Sequence, residues 1–208
     1  FFFYNLLIKK YNKIYMKETI LIITFIAIVF IFVFIHSTEV SYTEAFNGDQ
    51  FLVRNLDDKE DAAEVLSNMK TKLKKISDFI KTKTESDPTL FIKPYNDTIL
   101  EKFDFIIFRE ATGNSKFTSY SINKGEEIVF CLRSKKDNKL HDINELMYVA
   151  IHEIAHVGCP EIGHTPLFKK INKELLQYAI DCDCYKFKNY NSNPEDYCGI
   201  ELSNNILN

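Results

Sequence analysis

The sequence is poor in glycine and proline, with six and five among 208 residues, and it holds no internal repeat or low-complexity tract. That excludes collagen-like and other fibrous chains, and it is not the composition of a disordered one. An excess of positive charge is also lacking. Lysine and arginine number 26 against 29 aspartate and glutamate, a formal charge of 26 − 29 = −3. A general nucleic-acid binder is strongly basic, so no nucleic-acid partner is expected. Lys9, Lys10, Lys13 and Lys17 against Glu18 give residues 1–19 a charge of +3, leaving −6 for the rest. A catalytic domain that gathers substrate through a broad positive field is thereby excluded. Methionine is missing from position 1. Met16 opens MKET before an apolar run, so residues 1–15 are read as untranslated upstream sequence or the end of a fragment.

What the chain does have is one long apolar run. From Ile20 to Ile35 it reads ILIITFIAIVFIFVFI, with Thr24 its only polar member. Sixteen helical residues cover about 24 Å, and residues 19–37 approach the roughly 30 Å of a hydrocarbon core. The run is longer than the apolar part of a signal peptide, and no Ala-x-Ala-like cleavage site follows it. A retained single-pass anchor over 20–37 is expected. The four lysines before it place the N-terminus in the cytoplasm and the remainder on the non-cytoplasmic side.

Residues 38–56 lack clear periodicity and read as a linker. From residue 57 the pattern turns amphipathic: Ala62, Val65, Leu66, Met69, Leu73, Ile76, Phe79 and Ile80 recur at spacings of three and four. Asp57 or Asp58 is placed to cap this helix, and Thr84 to Pro88 ends it. A strand-rich stretch follows. Phe103, Phe105 and Ile107 alternate, and Phe117–Ile122 and Glu127–Arg133 flank a turn at Asn123-Lys124-Gly125-Glu126. An antiparallel sheet of three strands is expected there. The last third is helical. Asp142 and Glu145 resemble a capping box before LMYVAIHEIAHV, and Gly158 stands where a helix would stop. Thr165 and Pro166 open a second helix, with Leu167, Phe168, Ile171, Leu175, Tyr178 and Ala179 as its buried stripe.

His152-Glu153-Ile154-Ala155-His156 carries the chemistry. A spacing of four puts both imidazoles on one helix face, where both reach one ion. Zinc accepts neutral imidazole nitrogens and, in catalytic sites, takes three protein ligands plus a water. Glu153, beside the first ligand, is placed to take a proton from that water. A shuffled chain of this composition yields the pattern about 0.009 times, so accident is a poor account of it. The third ligand is read as His164, with seven residues between it and His156, at the mouth of the second helix, with Glu174, Glu161 and Cys159 as alternatives. His36 and His141 are read as unliganded, although His141 can face the site. Of the five cysteines, Cys131, Cys159, Cys182, Cys184 and Cys198, up to two pairs can form disulfides in an oxidising compartment.

Tyr148 to His156, followed by Gly163-His164-Thr165-Pro166-Leu167-Phe168, resembles the zinc metallopeptidases of the SprT-like and WLM groups. The likeness is closest to the WLM-like metallopeptidases of large DNA viruses. In those a Lys-Gly turn, a Cys-Leu-Arg strand and a late Tyr-Cys-Gly recur, as at Lys124-Gly125, Cys131-Leu132-Arg133 and Tyr197-Cys198-Gly199. The interval from His156 to His164 exceeds the five residues usual in cellular WLM proteins. The resemblance, covering residues 60–202, implies an α+β, zincin-like fold: a small antiparallel sheet packed on the His152–His156 helix and further helices; the apolar run adds one N-terminal transmembrane helix before it. It implies Zn2+ held by His152, His156 and His164, Glu153 as catalytic base, and a protein or peptide substrate. Tyr197, Tyr185 and His141 are candidate donors to the oxyanion. Ile128–Arg133 is read as a core strand, with pairing to an extended substrate as the alternative. The expected organisation is a basic segment at 1–19, the anchor at 20–37, the linker at 38–56 and a metallopeptidase-like domain at 57–208. The rival from another class is a catalytically silent, membrane-anchored interaction protein that keeps zinc for structure.

Overall fold

The structure, a computed structural model, describes residues 2–203, with side chains at 15–35 and 39–203. His36 and residues 204–208 of the expected domain therefore lie outside the described side chains. The chain divides into two compact units between Val40 and Ser41.

The first unit is one helix, α1 (Phe2–Glu39). Its stretch Tyr15–Ile35 has 21 residues and a mean hydropathy of 2.9. The apolar side chains from Ile20 to Ile35 are exposed all round, so no face is reserved for a protein core. The hydroxyls of Thr19 and Thr24 donate back to the Tyr15 and Leu21 carbonyls at 2.8 Å, which satisfies them inside the helix. At ~1.5 Å per residue the stretch spans about 31 Å. Among the described residues, α1 alone is long and apolar enough to cross a membrane, a description that a signal sequence also meets.

The second unit is α+β. Its elements are β1 (Val40–Glu44), β2 (Gln50–Arg54), α2 (Lys59–Ser86), α3 (Lys93–Phe103), β3 (Ile107–Glu110), β4 (Tyr120–Ile122), β5 (Glu127–Phe130), α4 (Ile143–Gly158), α5 (Pro166–Asp181), β6 (Glu195–Tyr197) and β7 (Ile200–Leu202). The main sheet has five strands in the order β1-β2-β3-β5-β4. Strands β2 and β3, and β3 and β5, run parallel, and β4 pairs antiparallel with β5. The three-stranded antiparallel sheet expected from sequence is thus corrected to a mixed sheet. Its hairpin is where the turn signals put it, with Ile122 opposite Glu127. What differs is β5, which inserts beside β3. Ile128, Val129 and Phe130 are buried in succession, as a strand covered on both faces requires.

Residues 38–56, read as a linker, supply β1 and β2. Phe51 and Val53 alternate inward, and that short signal becomes decisive only when β2 meets β3, more than fifty residues away. Phe103, read as part of a strand, ends α3 instead, and Phe105 is exposed. Helix α2 buries Ala62, Leu66, Met69, Leu73, Ile76 and Ile80 along the predicted stripe and packs on β2, β3 and the other three helices of this unit. Asp58 stands at its N-cap position, yet its carboxylate accepts from Arg133 Nη1 at 2.5 Å rather than capping. Arg133 also donates through Nε to Glu110 at 2.8 Å, with both side chains almost fully buried. This triad fastens the end of β3 and the segment after β5 to the start of α2.

Candidate metal centre

Helix α4 starts where Asp142, in extended conformation, accepts from the Asn144 N–H at 2.8 Å. Glu145 does not complete a capping box: its carboxylate meets His141 Nδ1 at 3.1 Å. Leu146, Met147, Ala150, Ile151, Ile154, Ala155 and Val157 are buried, so α4 is a core helix and its rotation is fixed by packing on α3, α5 and β4. That fixed rotation aims His152 and His156 at one side, with ring centroids 5.0 Å apart. The helix stops at Gly158, though not through a left-handed cap. A Cβ there would stand 3.0 Å from the Tyr95 carbonyl oxygen and from Ile99 Cδ1, so glycine permits α3 to cross closely.

The loop from Cys159 to His164 then brings a third imidazole back over α4. Thr165 caps α5, its hydroxyl accepting from the Phe168 N–H, with Pro166 in the first turn. His164 Nε2 lies 2.9 Å from His152 Nε2 and 3.3 Å from His156 Nε2. One potential ligand atom from each residue lies within 4.8 Å of the others. Glu174, Glu161 and Cys159, the alternatives left open by sequence, are outside this group. A tetrahedral centre with metal–nitrogen bonds of ~2.0–2.1 Å needs its nitrogens about 3.3 Å apart, so the donor set fits a zinc ion.

The electrostatics suit the same use. Burial, and then the neighbouring imidazoles, push His152 down to about 3 and His156 to about 4. Both rings therefore stay neutral near pH 7 with lone pairs free to ligate. Glu153, 6% exposed, is pushed up to about 7 by burial, against the opposing effect of a hydrogen bond from the Ser121 N–H. A carboxyl that titrates near neutrality suits proton transfer in either direction.

Two residues of α5 that sequence reasoning did not assign to the site complete it. Phe168 packs its ring against all three imidazoles, stacked on His156 at 4.1 Å. Asn172, buried, places its amide Nδ2 3.3 Å from His152 Nδ1, and turning the amide over presents Oδ1 in the same place. With Nε2 directed at a metal, Nδ1 carries the hydrogen and the amide oxygen is the partner it needs. The available signal was a lone amide on the apolar stripe of Phe168, Ile171 and Leu175.

The cluster opens on a cleft of about 1320 Å³, whose lining includes Glu153, Ser121 of β4 and Lys124. Strand β4 is the edge beside this cleft. Ile128–Arg133 is core structure, as expected from sequence, and the alternative of substrate pairing there falls away because β5 lies inside the sheet. Of the three candidate oxyanion donors, only Tyr197 lines the cleft, and its hydroxyl already donates to the Cys131 carbonyl at 2.9 Å. His141 is engaged by Glu145 and packs on Tyr197, and Tyr185 packs on Tyr148. Cys131 and Cys198 form a disulfide, whereas Cys159, Cys182 and Cys184 are free and buried.

Fold and site together define an α+β protein whose three-histidine cluster can hold a metal ion. The chain is 35% identical over 188 residues to the uncharacterized protein R325 of Acanthamoeba polyphaga mimivirus, covering 90% of this chain and 94% of that protein. It belongs to the same family as that mimivirus protein. Shorter matches link it to the uncharacterized protein 136R of Invertebrate iridescent virus 6, 46% identical over 69 residues, and to 042R of Invertebrate iridescent virus 3, 48% identical over 62. These cover 32% and 30% of this chain and 38% of each relative. No family model matches the chain. Among solved structures, Wss1 of Saccharomyces cerevisiae and a mutant of it align at 16% identity with a TM-score of 0.41, over 63% of this chain and 87% and 88% of theirs.

Proposed function

We propose that the chain is a membrane-anchored, zinc-dependent metallopeptidase that hydrolyses peptide bonds with Glu153 as general base. The observation that carries this reading is the position of Glu153. A buried carboxyl that titrates near 7 shares one cleft with three converging neutral imidazoles and an open strand edge. A purely structural metal site has no use for such a group. His152, His156 and His164 would hold the ion, which when bound supplies Lewis-acid polarisation and lowers the pKa of water. Asn172 holds His152 in the orientation and tautomer that ligation needs. Ionised Glu153 takes the proton of the attacking water and delivers it to the leaving amine nitrogen. Strand β4 offers its edge to an extended peptide, placing a scissile bond beside Glu153.

The anchor reading rests on α1, and the disulfide supports an oxidising, non-cytoplasmic side for the second unit. The test is zinc content and casein cleavage by the full chain in detergent. One zinc per chain in wild type and Glu153→Gln, with cleavage lost only in the variant, is expected. Zinc without cleavage in the wild type would favour the silent interaction protein, and no zinc would overturn both.

A further inference from the structure

The cleft is bordered by two strands at the edges of their sheets, and on β4 the Ser121 N–H already donates to the Glu153 carboxylate. One is β4, outermost in the main sheet. The other is β7, which pairs only with β6 among the described residues. Ile200, Glu201 and Leu202 of β7 line the same cleft as Ser119, Tyr120 and Ser121. An extended peptide carries backbone donors and acceptors along both of its edges, and a groove between two edge strands can satisfy both.

The β6–β7 ribbon is fastened through its β6 side. The hydroxyl of buried Tyr197 donates to the Cys131 carbonyl and meets Ser119 Oγ at 2.8 Å. The next residue, Cys198, is joined covalently to Cys131. Lys136 and Lys188 pair with Asp196 and Glu195. A two-stranded ribbon alone is marginal in water, so where β7 sits depends on these fastenings.

We propose that the ribbon is the second wall of the peptide groove, held in its gripping position by the Cys131–Cys198 disulfide. The occupant is an extended, unfolded segment of a protein substrate, paired with β4 on one side and covered by Ile200 and Leu202 on the other. The proposal rests on the peptidase reading. A dithiol reductant releases the wall: it gives two electrons and two protons to the Cys131–Cys198 bond, leaving two thiols, and itself closes to a cyclic disulfide.

Two zinc-directed probes separate the groove from the metal. Acetohydroxamate reaches only the metal, whereas a leucyl-phenylalanyl hydroxamate also occupies the groove. Each is titrated into the zinc-loaded full chain in detergent, before and after reduction and in Cys198→Ser and Ile200→Asp. The expected result is at least a tenfold weaker Kd for the peptidyl probe after reduction and in both variants, with the acetohydroxamate Kd unchanged. Equal peptidyl Kd values in all forms would overturn the clamp. If reduction or Cys198→Ser also releases zinc, Ile200→Asp decides, because it alters an exposed side chain and leaves the disulfide intact. Failure of the oxidised wild type to bind acetohydroxamate would instead overturn the peptidase reading.

Discussion

Lys124 donates through Nζ to the carbonyls of Cys159, at 3.3 Å, and Pro160, so the β4–β5 turn is tied to the loop that delivers His164. The ammonium closes the C-terminal end of α4, where carbonyls lack helical partners. Lys124→Met removes a charged donor worth about 1.5 kcal/mol, so the melting temperature of the metal-free chain should fall by roughly 3–6 °C, and zinc affinity should fall by up to about tenfold as the His164 loop loosens. Competition with a chromophoric chelator measures the affinity.

Gly125, in the same turn, has φ +102°, and a Cβ there would lie 2.9 Å from both γ-methyls of Val157. Gly125→Ala combines a left-handed backbone with overpacking against α4, and should cost about 1–3 kcal/mol in urea unfolding. An unchanged midpoint would show that the turn does not bear on α4.

Asn172 makes a separable prediction. Replacing it by Leu keeps the volume but removes the partner of His152 Nδ1, and zinc affinity should fall about 10–100-fold. Cobalt substitution gives a second readout, since the d–d spectrum of the cluster shifts if His152 reorients. An identical spectrum and affinity would leave Asn172 with a packing role alone.

The pH behaviour of the metal-free chain follows from Glu153. Its folded pKa lies above its ordinary value, so its contribution to stability is fully present below about 4.5 and lost as pH rises through about 7. A rise from 4.5 to about 7, at about 1.4 kcal/mol per unit, is roughly 3 kcal/mol. Glu153→Gln should therefore gain on wild type as pH rises from 5 to 8. His152 and His156 act in the opposite sense. Their folded pKa values are depressed, so the stability they contribute above about 6.5 is lost as pH falls toward 4 and 3. Thermal melts at pH 4, 6 and 8 separate the two effects.

The Arg133 triad, which is not part of the cleft lining, predicts a large effect. Arg133→Met leaves Glu110, 1% exposed, without its cation, and should destabilise the chain by about 3–5 kcal/mol. Chemical denaturation would measure it, and a loss below 1 kcal/mol would show that Glu110 is held neutral.

How much of this was legible in sequence depended on range. His152 and His156 meet because a helix repeats every ~3.6 residues, and His164 could be placed because Gly158, Thr165 and Pro166 mark a stop and a start. The turn at 123–126 was legible for the same local reason. The parallel partners of β3 were not, since Leu52 opposite Arg109 is a pairing between distant segments, each too short to announce itself. Helix α3 was hidden by the alternation of Phe103, Phe105 and Ile107, only the first of which belongs to it. Asn172 was read past because an amide on an apolar stripe has no period of its own.

The Cys131–Cys198 link encloses residues 132–197, and with them His152, His156, His164 and Glu153. A single backbone cut anywhere in that interval leaves one covalent molecule. A nick made by the chain on itself or by another protease would pass unseen on a non-reducing gel and appear as two fragments only under reduction.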